Sequence, residues 1–317
     1  MKIGLVVDSS CDLPRSFFDQ EGLELMPSTI RIGDKTFEDV RDERETIKFH
    51  AASQDRKEET FSESQSYTIK QIEELFLGRL VCKYDHVFLL SVTESRSKIY
   101  ENAMKASIGV TAKYLRIRLG IGMTGRFSLA VINSRNIFTG PAVLAAEVIR
   151  LIKNESSPSK IDARIRELVP HTYCYMVPPD LYHIYKRASK RGDKSIGWMG
   201  YTLGSLLDIK PILRGHLDET GPVAKLRSFD TAVEIMFANV TRAIQAGLLA
   251  PIVCIGYGGN PRVVTEMPGY ERLKQAAESS GTALHLAPMS ITGGVHTGPG
   301  CVTVAFVSDK HTFEEKV

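Results

Sequence analysis

The sequence predicts an α/β fold on two observations: short apolar runs that end in polar or glycine-bearing turns, and helical apolar periodicity in the stretches between them. Five runs read as strands: Ile3 to Val7, Val87 to Val92, Leu129 to Ile132, Ile252 to Ile255 and Val302 to Val307. Ile69, Ile72, Leu75, Phe76 and Leu80 share one helical face, and Ile161, Ile165 and Leu168 another. Such alternation suits strands joined by crossover helices, although not every strand need be parallel. The polar break Asn154-Glu155-Ser156-Ser157-Pro158-Ser159-Lys160 is the best linker and places a domain boundary between 1–158 and 159–317.

The first run enters Asp8-Ser9-Ser10-Cys11-Asp12-Leu13-Pro14. In an open α/β sheet, ligands collect beyond the carboxyl ends of strands, so Ser9 and Ser10 are candidate ligand contacts. The competing role for Ser9, Ser10 or Asp12 is to cap a helix that Pro14 begins. Arg41 to Glu59 is densely charged and reads as a solvated surface helix or loop. Glu63-Ser64-Gln65-Ser66 precedes the helix from Tyr67 to Leu80, and Ser64 or Ser66 is either its cap or a site hydroxyl. Thr93-Glu94-Ser95-Arg96-Ser97 follows a strand and opens a helix whose free N–H groups suit an anion, with capping again the alternative.

Farther on, Leu203 to Gly215 and Lys225-Leu226-Arg227 offer Lys210 and Arg227 as anion partners, although a lone basic residue is more often simply solvated. Thr292-Gly293-Gly294-Val295-His296-Thr297-Gly298-Pro299-Gly300 reads as a tightly shaped turn that presents His296, or as a structural turn with an incidental histidine.

Composition narrows the class. The chain has 317 residues, 43% of them apolar and 24% charged, as in ordinary globular proteins with a sizeable core. A net charge of +3 with interleaved signs does not point to nucleic acid. Five scattered cysteines without C-x-x-C spacing suggest neither zinc nor a disulfide framework, and fit a reducing cytoplasmic setting. A secretory leader and a transmembrane segment are not expected. The Walker, G-x-S-x-G, H-E-x-x-H and G-x-G-x-x-G motifs are missing, and spacing assembles neither a triad nor a metal set, so the expectation is no cofactor and no catalytic residue.

Taken in order, Asp8-Ser9-Ser10-Cys11-Asp12-Leu13-Pro14, Val131-Ile132-Asn133-Ser134, Leu203-Gly204-Ser205-Leu206-Leu207-Asp208-Ile209-Lys210-Pro211-Ile212-Leu213 and His296-Thr297-Gly298-Pro299-Gly300 resemble the DegV family of bacterial fatty-acid-binding proteins over essentially the whole chain. The resemblance implies two α/β domains, the first with a mainly parallel sheet and the second with a mixed one, holding one long acyl chain in an apolar tunnel between them. It further implies a non-catalytic acyl-binding subunit that presents the ligand's head group to a separate ATP-binding fatty acid kinase subunit. Burying acyl methylenes supplies ~0.8 kcal/mol each, so apolar lining gives affinity and the polar head sets register.

The head-group motifs depart from the family's. Where the family has two hydroxyls, this chain has Glu63 and Glu94, and the family's Gly-Gly-Arg-Ile becomes Gly192-Asp193-Lys194-Ser195. Two like charges ~4 Å apart repel by roughly 4 kcal/mol at an effective dielectric near 20. The favoured resolution is a one-residue shift that lets Ser64 and Thr93 supply the hydroxyls, leaving Lys194, Arg227 and His296 as positive or donor groups. A protonated buried glutamate, a ligand with a neutral or cationic head, and a Glu94 turned out toward Arg96 or Lys98 are the alternatives. The rival class is an enzyme acting on a small acyl or phosphorylated substrate, with His296 as acid or base and Glu94 near it.

Overall fold

The computed structural model describes residues 1–54, 62–184 and 209–316. Its first sheet contains β1 (Ile3–Asp8), β2 (Glu24–Met26), β6 (His86–Ser91) and β7 (Ser128–Asn133), all parallel in the order β2-β1-β6-β7. A small antiparallel sheet of β3 (Thr29–Ile32), β4 (Lys35–Glu38) and β5 (Ser62–Gln65) is ordered β4-β3-β5. The largest sheet holds β8 (Thr172–Val177), β9 (Lys210–His216), β10 (Glu219–Leu226), β11 (Ile252–Tyr257), β12 (Ala283–Pro288) and β13 (Val302–Val307). Its order is β10-β9-β8-β13-β11-β12, and it is mixed: among the described residues β11 and β12 pair in parallel and the other neighbours antiparallel.

All five expected strands are present; β1, β6, β11 and β13 are buried over most of their length, while β7 is buried at Val131 and Ile132. Others lacked a periodic signal. β5 is Ser-Glu-Ser-Gln and has no apolar face, while β10 carries Gly221 and Pro222, tolerated because β10 lies at the sheet edge. β9 and β10 are joined by a two-residue turn in which Leu217 and Asp218 both have positive φ, the geometry that matches strand twist in hairpins.

Helices α1 (Arg15–Glu21), α2 (Glu43–Gln54), α3 (Ile69–Leu75), α4 (Val81–Lys83) and α5 (Ile99–Gly120) come from the first half of the chain; α5 packs on β6 and β7, α2 reaches β12 of the largest sheet, and a π-helical turn at Phe76–Leu80 joins α3 to α4. α6 (Thr139–Lys153) is buried from Thr139 to Ile149 because it touches β1 of the first sheet and β8, β11 and β13 of the largest one. α7 (Pro158–Leu168) is capped by Ser157 and packs on α6. α8 (Phe229–Ala246), α9 (Tyr270–Ser280) and α10 (Ile291–Thr297) belong to the second half.

Two expectations are corrected here. Residues 291–297 form a helix, not a turn, because Ser290 Oγ accepts from Gly293 N at 2.9 Å; the turn is confined to Gly298 and Gly300, both at positive φ. Arg41 is not solvated but 4% exposed, and α2 behind it buries Thr46 and His50.

Candidate functional site

The polar turns meet where the first sheet's carboxyl ends face the largest sheet. Neither Ser9, Ser10 nor Asp12 caps α1, whose N-cap is Pro14 with no side-chain bond. Their groups are used locally instead. Asp8 Oδ2 accepts from Val92 N at 2.8 Å, and its other oxygen accepts from the Ser10 amide at 2.9 Å and from the Ser10 hydroxyl. Burial pushes the Asp8 carboxyl above its ordinary range. Ser9 Oγ donates to Asp39 O at 2.7 Å and accepts from Ser28 N at 2.8 Å.

One step farther, a buried ion pair ties the turn to the opposite half of the chain. Arg41 donates to Asp12 Oδ1 at 3.1 Å, to Leu13 O at 3.0 Å and to Pro288 O at 3.1 Å. Asp12 Oδ1 also accepts from Ser290 N at 2.8 Å. Burial raises the Asp12 carboxyl to about 6 even though Arg41 pulls it down. Arg41 has φ near 60°, uncommon for a non-glycine residue, so the backbone is bent to deliver its guanidinium inward. Asp39 completes the clamp, accepting at Oδ2 from Thr292 N at 2.8 Å and Thr292 Oγ1 at 2.7 Å.

That clamp holds α10, and α10 carries His296. Ser64 Oγ lies 3.1 Å from His296 Nε2. In β5, Ser64 pairs with Ile30, which is fully buried and clusters with Ile291 and Val295 of α10. Strand alternation then sends Glu63 to the other face, where Arg31 stands 3.9 Å away and Gln65 donates to it at 3.1 Å. Ser64 is no cap either: the N-cap of α3 is Thr68, in a reciprocal capping box with Gln71. Gly294 is needed because His50 lies against it, with its Nε2 at 2.9 Å from Met289 O; Gly298 leaves room for the His183 ring.

The turn after β6 meets the β9-β10 hairpin. Thr93 is buried, and its hydroxyl donates to Asp218 Oδ1 at 2.7 Å. Arg135 Nε reaches the other oxygen of Asp218 at 2.5 Å, and Ser95 Oγ donates to Asp218 O at 2.8 Å. A cavity of about 370 Å³ opens beside them, lined by Arg96, Arg214 and His216 among others. Glu94 is exposed. At its far end the same turn reaches the residue that follows β5, where Ser97 Oγ and Ser66 Oγ are 2.5 Å apart.

The structure thus joins Ser64 to His296 and sets Ser9 and Ser10 into the buried turn near the Asp39 clamp. The Thr93 hydroxyl is engaged at the β9-β10 hairpin. Arg227 is exposed in the link between β10 and α8, and Lys194 lies outside the described residues, as do Leu203 to Asp208. Sequence reasoning missed Arg41, Asp39 and the Ser66–Ser97 pair. The lone available signal for Arg41 was its place beside Asp42 and Glu43 in a charged run, which points the other way. Among the described residues there is no group of three or more His, Cys, Asp or Glu side chains able to hold a metal ion, and no helix long and apolar enough to cross a membrane.

A family model described as an uncharacterised protein of the DegV family matches residues 2–309. A DegV domain-containing protein of Xanthomonas campestris pv. campestris is 42% identical over 314 residues, spanning 99% of both chains. Among solved structures, a stearic-acid-binding protein from Eubacterium ventriosum matches with a TM-score of 0.75 at 18% identity, covering 96% of this chain and 98% of that one. DegV of Bacillus subtilis, described as a fatty acid binding protein, matches with a TM-score of 0.73 at 17% identity over 98% of this chain and 100% of its own.

Proposed function

This chain belongs to the DegV family, and on that premise we propose that it binds one long-chain fatty acid between its first and largest sheets, with the carboxylate at Ser64 and His296. The contact between Ser64 and His296 carries the reading, because it unites two hydrogen-bonding side chains from opposite halves of the chain at one point. Glu63, the residue that threatened a carboxylate ligand, pairs on the far face with Arg31. Relatives described as binding stearic acid, or as loaded with heptadecanoic acid, support the ligand class.

In this reading the protein is a cytoplasmic carrier with no catalytic role, and it presents the head group to a separate ATP-binding kinase subunit. Ser9 and Ser10 shape the floor of the site, since their hydroxyls are spent on Asp39 and Asp8. Thr93 serves by fixing the hairpin, and Arg227 and Lys194 by offsetting the head-group charge. The division into 1–158 and 159–317 belongs to the same proposal: all strands of the four-stranded sheet precede it and all strands of the six-stranded sheet follow it.

Native mass spectrometry of the purified protein tests the ligand class. A co-purified mass matching a long-chain acid, displaced by added fatty acid, is the expected result. Ligand-free protein that takes up no fatty acid in titration overturns the proposal.

A further inference from the structure

His86 is almost out of reach of solvent, yet one end of its ring bonds to nothing. The residue is 8% exposed; Nδ1 lies 2.6 Å from Ser128 Oγ, whereas Nε2 has no hydrogen-bond partner among the described residues. Phe88, two residues along on the same face of β6, packs edge-on against the ring and fixes its direction. Asp162 of α7 repeats the pattern: its Oδ2 accepts from Arg166 Nε at 2.8 Å, and its Oδ1 is buried without a partner. Buried polar atoms are nearly always hydrogen-bonded, so two such orphans in one place need a physical reason.

Both residues line a single cavity of about 530 Å³ between α5, β7 and α7, a size that suits a small molecule. His86 and Ser128 open β6 and β7, so the cavity stands at the amino ends of the first sheet, away from the carboxyl ends where the polar turns meet. β7 is the edge strand there, and Arg166 covers part of that edge by donating to Val131 O at 3.3 Å. Met104, Leu129 and Val131 add an apolar wall.

We propose that this cavity is a second binding site, for a neutral alcohol with an apolar stem, whose hydroxyl donates to Asp162 Oδ1 and accepts from His86 Nε2–H. One hydroxyl answers both orphans when Ser128 donates to Nδ1, the tautomer that keeps the ring proton on Nε2. The ring itself is uncharged at pH 7, because burial holds the imidazole below its ordinary value although Asp162 pulls it up. Arg166 already balances Asp162, so no net charge draws an ammonium into the cavity, and a carboxylate there would meet the Asp162 carboxylate. The stem of the alcohol lies on the apolar wall.

Titration of the full chain with n-hexanol, read by NMR on the His86 ring and the Met104 methyl, tests the proposal. Saturable shifts with a Kd of ~1 mM are expected, and hexylammonium and hexanoate bind at least about tenfold more weakly. Asp162→Ala removes the acceptor, and Ser107→Trp fills the cavity from α5. Each weakens n-hexanol at least about tenfold with thermal unfolding unchanged. Excess stearate and His296→Ala leave the titration as it was, which separates this site from the proposed fatty acid site. The proposal is overturned by the absence of saturable shifts up to about 20 mM n-hexanol, or by either ion binding within about tenfold of the alcohol. Wild-type affinity in either cavity variant, or loss of the shifts to stearate, overturns it equally.

Discussion

Ser64 and His296 stand 3.1 Å apart across 232 residues of chain, one on a short polar strand and the other on the helix that Ser290 caps. If they hold a carboxylate together, His296→Ala and Ser64→Ala each remove a hydrogen bond to a charged group, worth about 1.5–3 kcal/mol. Fatty acid affinity should fall roughly 10- to 100-fold in either variant while thermal unfolding is unchanged. Unaltered titration curves would make the contact purely structural.

Glu94 is exposed, so it exerts no strong field at the head group. Glu94→Ser should leave both affinity and its pH profile as in the wild type. Tighter binding by the serine variant would place the carboxylate in the site after all.

Arg227 is exposed in the link between β10 and α8. If it offsets the head-group charge, Arg227→Met should bind a long-chain acid more weakly and the matching alcohol equally well, since methionine keeps the packing of the stem. Equal losses for acid and alcohol, or none, remove the residue from the reading.

The Arg41–Asp12 pair is nearly inaccessible on both sides. Arg41→Met leaves a buried carboxylate without its counter-ion, and breaking such a pair costs about 3–5 kcal/mol. Urea unfolding should show a loss of that order, and α10 should lose amide-exchange protection along with it. A loss below about 1 kcal/mol would mean that the clamp is not what holds α10.

His50 supplies a pH signature. Burial lowers its imidazole to about 4 from an ordinary 6.5, so between those values the unfolded chain binds the proton and the folded chain does not. The contribution is complete above pH 6.5 and is lost as pH falls toward 4, up to ~3 kcal/mol. Asp12 slopes the opposite way, since its folded carboxyl is raised to about 6 and takes its proton first. Comparing wild type with His50→Gln from pH 4 to 7 therefore isolates the histidine, and parallel curves would refute the assignment.

Much of the architecture was local information. Five apolar runs became strands because a buried strand of a parallel or mixed sheet must be apolar along its length, and α3 and α7 followed from side chains repeating at helical spacing. The turns that carry polar groups were also legible, since Asp8-Ser9-Ser10 and Gly298-Pro299-Gly300 have compositions that regular elements do not tolerate. What only the tertiary structure decided was which of those groups meet. β5 has no apolar face, so its register came from pairing with β3; opposite Ile30 it turns Ser64 inward and Glu63 outward, and the reverse register would have put the glutamate in the site. Arg41 looked solvated because its neighbours are charged, yet Asp12 and the carbonyls of Leu13 and Pro288 make a buried guanidinium affordable only there. Both outcomes depend on partners far away in sequence, where no local pattern records them.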